Sequence, residues 1–202
     1  SSLKEVATKL SLNPLKIYAA FRDAVAYQKK FDRYITKGIL FDDAVKLLDT
    51  EDGRKRAIEI LHAERVKPIK IAVIGHTYII NDSYISFNVI KKLRERNIQV
   101  STSDKLTEAE INANIKYIQK PHWSLGSRVV GSGIYYSKDK NIDGIIYVTP
   151  FSCSSDSLIK EYMDANVQNK PILTLTVDEH SSDAGMITRI EAFLDMIDRR
   201  KK

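Results

Sequence analysis

The sequence predicts an α/β fold: a small, doubly wound, flavodoxin-like parallel sheet of about four strands, preceded by an α-helical extension. Residues 1–66 contain no run typical of a strand, whereas four short β-branched runs follow from residue 69. Helical patterns of roughly 10–15 residues separate these runs, and such spacing requires crossover connections between parallel strands. We therefore predict two parts, a helical extension over residues 1–66 and a doubly wound domain over residues 67–202.

The helical extension is predicted to contain three helices. Asn13 and Pro14 mark the start of the first, with Asn as the cap and Pro at the first helical position. Apolar residues then recur at helical spacing, and Gly38 ends the pattern. The other two helices are predicted over residues 41–48 and 54–64, and Pro68 closes the segment.

Each predicted strand is a short apolar run of the kind that is buried on both faces of a parallel sheet. The four strands are predicted over residues 69–75, 98–102, 143–149 and 171–177. The helices of this part are predicted over residues 83–96, 108–117, 123–136, 156–165 and 184–199. The natural order for four strands connected in this way is 2-1-3-4.

Composition restricts the classes of partner and the compartment. The net charge of +6 suggests nucleic acid, but acids and bases alternate along the helical patterns, which is typical of solvated helix faces. No apolar run reaches the roughly 18 residues of a membrane-spanning helix, and no signal-peptide pattern follows the first residue. A single cysteine excludes an internal disulfide and fits a reducing compartment. We therefore expect a cytoplasmic protein that binds neither nucleic acid nor membrane.

The strand ends indicate where a ligand would bind, because open parallel sheets bind ligands beyond the carboxyl ends of their strands. The loop after the third strand, residues 150–157, places Cys153 directly before a helix N-terminus, where an anion such as a thiolate is favoured. Alternatively, Ser154, Ser155 or Asp156 caps the helix and Cys153 is a small buried filler. The residues by themselves favour neither interpretation.

Two other loops contribute candidate residues. Asp178, Glu179 and His180 follow the fourth strand, and two carboxylates beside an imidazole are suited to acid–base work or to metal binding. The plainer interpretation, that Asp178 and Glu179 pair with Arg189 or cap the last helix, is favoured for chemistry. His76 follows the first strand and could contact a ligand, although a strand-end histidine with satisfied hydrogen bonds is the more common arrangement.

Three stretches, in the same order, carry a family resemblance. They are residues 71–78 with Asn81 and Asp82, residues 151–157, and residues 175–180 continuing through 184–185 and 188–193. From about residue 14 to its end, the chain resembles the C-terminal part of proteins related to 2-hydroxyacyl-CoA dehydratase subunits and to the long CoA-substrate-specific enzyme activases, which carry a domain of unknown function.

The resemblance implies a two-part protein whose upstream half supplies further cysteines for a four-iron–four-sulfur (4Fe-4S) cluster. An ATP-hydrolysing activase would inject an electron into that cluster. Cys153 matches the family's cysteine and would be an iron ligand in the intact protein. The sequence departs from the family at two points: Ser154 and Ser155 replace a usual Gly-Pro, and Thr77 replaces a usual Pro.

Two functional hypotheses follow. In the first, the chain is a fragment of an iron–sulfur, electron-transferring protein in which Cys153 binds iron and the backbone N–H groups of residues 154–157 stabilise the charge. In the second, the chain is a non-catalytic flavodoxin-like module that binds a nucleotide, a CoA ester or a protein partner. The residues expected around the ligand are Cys153, Ser154, Ser155, Ser157, His76, Asp178, Glu179 and His180.

Overall fold

The structure is a computed structural model, which describes residues 13–48, 50, 52–65, 69–116, 124–151, 153–167 and 170–201. Pro68, Trp123 and the predicted boundary between residues 66 and 67 lie outside these ranges, so that boundary stays a prediction. None of the described helices is long and apolar enough to cross a membrane.

A four-stranded, all-parallel sheet of order β2-β1-β3-β4 forms the centre of the fold, as predicted. The strands are β1 (Ile69–Gly75), β2 (Ile98–Thr102), β3 (Gly144–Pro150) and β4 (Ile172–Val177). β1 pairs with β2 on one side and with β3 on the other. Each strand lies within one residue of its predicted bounds, because these buried apolar runs leave little freedom for register.

Helices precede the sheet and connect its strands. Their bounds are α1 (Pro14–Thr36), α2 (Phe41–Leu48), α3 (Gly53–Arg65), α4 (Thr77–Ile80), α5 (Val89–Glu95), α6 (Glu108–Asn114), α7 (Ser124–Lys138), α8 (Ser154–Asn166) and α9 (Asp183–Lys201). A short 3₁₀ helix, Ser103–Lys105, follows β2.

Apolar side chains pack on both faces of the sheet, which confirms the doubly wound arrangement. On one face Ile71 and Val73 of β1 pack with side chains of α5 and α9. On the other face Ala72 and Ile74 pack with side chains of α6, α7 and α8. The exposed fraction of all four side chains is 0%, so β1 is buried on both faces of the sheet.

The helical extension has a small core of its own, formed by Tyr34, Ile35, Ile39, Ala44, Leu47 and Ala57. It also contacts the sheet domain, since Arg94 of α5 forms an ion pair with Asp43 of α2 at 2.8 Å. The predicted cap of α1 is confirmed: the side-chain amide oxygen of Asn13 accepts a hydrogen bond from the Leu15 N–H at 3.0 Å.

The predicted helix over residues 83–96 is wrong in its first half. Residues 81–88 form turns, and α5 begins only at Val89. The Asp82 carboxylate accepts hydrogen bonds from the N–H groups of Tyr84 and Ile85, which stabilises the turn. Phe87 and Asn88 then adopt left-handed backbone conformations, with φ of 52° and 54°, which a continuing α-helix excludes.

Candidate functional site

The sheet has one point at which the strand order reverses. From β1 the chain passes to β2 on one side, and β3 then lies on the other side of β1. The loops after β1 and β3 therefore leave the sheet in different directions and border a crevice, which is where doubly wound proteins bind ligands. Two predicted candidates, His76 and Cys153, lie on these two loops.

A buried histidine–aspartate pair joins the two loops. The Nε2 atom of His76 lies 3.0 Å from one carboxylate oxygen of Asp156, in the first turn of α8. The hydroxyl group of Tyr147, on β3, donates a hydrogen bond to the same carboxylate at 3.1 Å. The exposed fractions are 6% for His76, 2% for Asp156 and 1% for Tyr147. Burial and the fixed loop ends therefore hold this triplet in one arrangement.

The second ring nitrogen of His76 is also buried, but it has no hydrogen-bond partner among the described residues. An ionised carboxylate can only accept, so Nε2 must carry the proton that lies between His76 and Asp156. In the neutral ring this leaves Nδ1 as an acceptor without a donor. Such a buried, unpaired polar atom costs about 1–3 kcal/mol, and a cost of that size often accompanies a functional role.

Tyr78 covers the imidazole of His76. The two rings stack with their centroids 5.4 Å apart and an angle of 5° between their planes. The pKa of Tyr78 is raised, first by burial of its hydroxyl and then by the negative charges of Asp156 and Cys153. Burial also raises the pKa of Tyr147, with Asp156 and Cys153 again contributing. Cys153 directly precedes the helix whose first turn carries Asp156, so the thiol lies at the same end of α8 as the buried triplet.

Cys153 immediately precedes α8, as predicted, and its side chain is half-buried. The Sγ atom lies 3.0 Å from the Ser155 hydroxyl oxygen. The predicted contribution of the Ser157 N–H is wrong, because this group donates to the Cys153 carbonyl oxygen within the helix. Ser152 and the Ser154 side chain lie outside the described parts of the structure.

Asp156 is not the helix cap that one interpretation of the sequence made it. Its carboxylate bonds to His76 and Tyr147, and no side-chain hydrogen bond caps α8 among the described residues. From the sequence, Asp156 was therefore predicted only as a possible helix cap, and its contacts with His76 and Tyr147 were not predicted. The sequence signal for the role is weak: His76 and Asp156 are eighty positions apart, and only the crossover topology brings them together.

The structure does not join the loop after β4 to this triplet. Asp178 forms a local turn, in which its carboxylate accepts from the Ser181 hydroxyl at 2.8 Å and from the His180 N–H at 3.0 Å. These hydrogen bonds, the Ser181 one first, lower the pKa of Asp178. Glu179 and His180 are largely exposed, at 82% and 86%. Within the described chain, no hydrogen bond or ion pair links the three residues to His76 or Cys153.

The predicted pairing of Asp178 or Glu179 with Arg189 is wrong for the described contacts. The Arg189 guanidinium instead donates to the Thr174 carbonyl oxygen at 2.6 Å. Arg189 therefore covers part of the free edge of β4, which is a common protection against strand pairing with other chains.

Residues 1–106 match the family described as CoA enzyme activase uncharacterised domain. The chain belongs to this family. No curated protein and no solved structure matches it significantly. The matched residues of this CoA enzyme activase-related chain include the first of the three predicted family motifs, with His76 and Tyr78. Cys153, Asp156 and the other two motifs lie beyond the matched range.

A second polar contact holds the loop after β1 in the CoA enzyme activase-related chain. The Asp104 carboxylate accepts from the Thr77 hydroxyl at 2.7 Å and from the Asn81 side-chain amide at 2.8 Å. The loop that carries His76 is thus bound on one side to the end of β2 and on the other side to α8. Two independent anchors of this kind pre-organise the crevice.

A cavity of about 580 Å³ lies elsewhere in the CoA enzyme activase-related chain, between the helical extension and α5. Its lining mixes opposite charges, among them the Asp43–Arg94 ion pair. Neither His76 nor Cys153 borders it. We therefore place the candidate site at the strand-end crevice, where the buried polar triplet and the thiol lie together.

Proposed function

We propose that this chain is part of an iron–sulfur protein related to CoA enzyme activases, and that Cys153 supplies one ligand to the cluster. The observation that carries the proposal is the position of Cys153, half-buried beside the switch-point crevice and directly before the N-terminus of α8. Backbone N–H groups at a helix N-terminus favour the negative charge of a thiolate that binds iron.

This chain can supply only one of the cysteine ligands that the cluster needs. A four-iron–four-sulfur cluster is held by four cysteine thiolates, whereas the sequence has one cysteine. The described residues contain no group of three or more His, Cys, Asp or Glu side chains that could hold a metal ion. The remaining cysteines would therefore come from other polypeptide, which we propose to be an upstream half of the same protein.

When bound, the cluster would supply one-electron chemistry, with an ATP-hydrolysing activase as its electron donor. The chain's own part is to orient the thiol. The Ser157 N–H and hydroxyl both donate to the Cys153 carbonyl oxygen, at 3.0 and 3.2 Å. The buried contacts of Asp156 hold the same helical turn against the sheet.

Anaerobic reconstitution of the intact protein with iron and sulfide tests this proposal. Cys153→Ala should lower the iron content and the visible absorbance, whereas Lys160→Ala, a change at an exposed residue of the same helix, should leave both unchanged. A Cys153→Ala protein with the iron content and absorbance of the wild type would exclude Cys153 as a ligand.

A second candidate function is a binding module for a nucleotide or a CoA ester at the same crevice. The unpaired Nδ1 atom of His76 favours it, since a ligand with a hydrogen-bond donor would satisfy that atom. A ligand at 100 times its dissociation constant should stabilise the fold by about 2.7 kcal/mol. Thermal unfolding with acyl-CoAs and nucleotides measures this. A shift that survives Cys153→Ala but is lost in Tyr78→Ala supports the module, and the absence of any shift refutes it.

A further inference from the structure

The first helix of the chain extends well beyond the core that it belongs to. α1 has 23 residues, yet only Tyr34 and Ile35, near its C-terminal end, are buried. Its first four turns, residues 14–27, contribute no buried side chain, whereas Phe31 in the fifth turn packs against the small core of the helical extension. Most helical stability in proteins comes from packing of an amphipathic face and not from helix propensity.

The exposed part of α1 carries a row of large apolar side chains, which we name the α1 stripe: Leu15, Tyr18, Phe21 and Val25. Their exposed fractions are 78%, 69%, 52% and 37%. At about 100° per residue, the four positions fall within roughly 120° of the helix circumference. The stripe is about 15 Å long at 1.5 Å per residue. Contiguous exposed apolar surface of this kind marks an interaction site.

The spacing of the α1 stripe matches one mode of recognition. Tyr18, Phe21 and Val25 stand at positions i, i+3 and i+7, which is the anchor pattern of an amphipathic helix that lies in a hydrophobic groove. Two of the three anchors are aromatic, and aromatic anchors contribute most of the binding energy at such interfaces.

The charges of α1 decide which kind of occupant fits. Residues 14–36 carry five cations (Lys16, Arg22, Lys29, Lys30 and Arg33) and two anions (Asp23 and Asp32), a net charge of +3. At 100° per residue, Arg22, Lys29 and Arg33 project from the same side of the helix as the stripe, and Asp32 also projects from that side, which gives it a net charge of +2. If a second copy of the chain docked through its own α1, two helices that each carry a net charge of +3 would face each other. Each whole chain also has a net charge of +6. Repulsion between these like charges disfavours self-association.

A lipid surface fits less well than a protein groove. Helices that lie in the membrane interface present a broad, continuous apolar face with a strongly basic polar face. The α1 stripe covers only about three turns, and Asp23 and Asp32 lie on the same helix. We propose that the α1 stripe docks into an apolar groove, rimmed by carboxylates, on a folded protein partner.

Site-specific cross-linking in the native cell identifies the partner. A photoreactive phenylalanine analogue in place of Tyr18 of the intact protein should cross-link to one protein. The cross-linked peptide should come from an apolar groove with Asp or Glu residues at its rim. The partner is then purified, and its affinity for wild-type and variant chains is measured by calorimetry.

One variant tests an apolar anchor of the stripe, a second tests its positive charges, and a third is a control. Phe21→Ser and the double variant Arg22→Glu/Lys29→Glu should each weaken binding tenfold or more, and added salt should weaken binding to the wild type. Tyr84→Ser is the matched control, because Tyr84 is an aromatic residue that is 90% exposed outside α1, and it should leave the affinity unchanged. Circular dichroism checks that each variant keeps its fold, as expected for changes at exposed positions.

Four results would overturn the proposal. One is the absence of any cross-linked protein, and another is cross-linking only to a second copy of the chain. The third is a partner whose affinity does not respond to Phe21→Ser. The fourth is binding of the wild type, but not of Phe21→Ser, to phosphatidylcholine vesicles that contain phosphatidylglycerol, without a protein partner. None of these results depends on whether Cys153 binds iron.

Discussion

Replacement of Asp156 by alanine should strongly destabilise the fold. The carboxylate is 2% exposed and is bonded to the imidazole of His76 at 3.0 Å and the hydroxyl of Tyr147 at 3.1 Å. Asp156→Ala leaves both donors buried without an acceptor. Two unmade buried hydrogen bonds cost about 1–3 kcal/mol each, or about 2–6 kcal/mol together. We therefore expect a loss of roughly 4 kcal/mol, a large part of the 5–15 kcal/mol typical of a domain.

Urea unfolding, followed by circular dichroism at pH 7, measures this loss. With a slope of about 2 kcal/mol per molar urea, the midpoint should fall by roughly 2 M. Asp164→Ala is the matched control: it is the same substitution on the same helix, but Asp164 is half exposed and pairs with the exposed Lys160. An exposed pair contributes at most about 1 kcal/mol. If Asp156→Ala costs no more than Asp164→Ala, the buried triplet does not exist as described.

Two further predictions concern the same crevice. Because burial raises the pKa of Tyr147 above its ordinary value near 10, the folded state keeps the proton that the unfolded state releases as the pH rises through 10. The contribution of Tyr147 to the free energy of unfolding should then be constant below pH 9 and fall above pH 10, by up to about 1.4 kcal/mol per pH unit. Urea midpoints between pH 8 and 11 measure this dependence on pH. Tyr147→Phe should make the fall above pH 10 less steep. Gly75→Ala should cost about 3 kcal/mol or more, since the new Cβ atom would lie 2.5 Å from the Val148 carbonyl oxygen. Gly185→Ala, whose nearest contact is a serine hydroxyl at 3.1 Å, should change the stability by no more than about 1 kcal/mol in the same urea assay.

The elements that the sequence predicted well are those whose local pattern and tertiary environment agree. The apolar run of β1 is buried on both faces, and the Asn13 cap is satisfied within its own helix turn. Residues 83–88 show where this agreement fails. Their composition permits a helix, but the Asp82 side chain competes for the backbone N–H groups and favours turns instead.

The position of the candidate site was predictable, but its composition was not. The topology rule for parallel sheets places the crevice between the ends of β1 and β3 without any motif. The partnership of His76 with Asp156 depends on side-chain directions across this crevice. Nothing local distinguishes an aspartate that points toward the sheet from one that caps its own helix, since both occupy the first turn.

The family match ends at residue 106, but we expect the part of the chain that folds cooperatively to extend beyond this residue. Residues 1–106 contain β1 and β2, whereas β1 has β3 as its second neighbour. A chain of residues 1–106 would expose Ile71, Val73 and Ile74 of β1, which are fully buried in the whole chain. At about 1.5–3 kcal/mol for each side chain, the loss is comparable to the entire stability of a domain.

We therefore expect that residues 1–106, produced alone, lack a cooperative unfolding transition in urea and show poorly dispersed amide proton resonances. Residues 1–202, measured side by side, should show both properties of a folded protein. His76 would lose Asp156 in the shorter chain, so the crevice cannot be studied there. A sharp urea transition for residues 1–106 would mean that β1 does not need β3, and the buried pair would then be an addition to an independent fold and not part of its core.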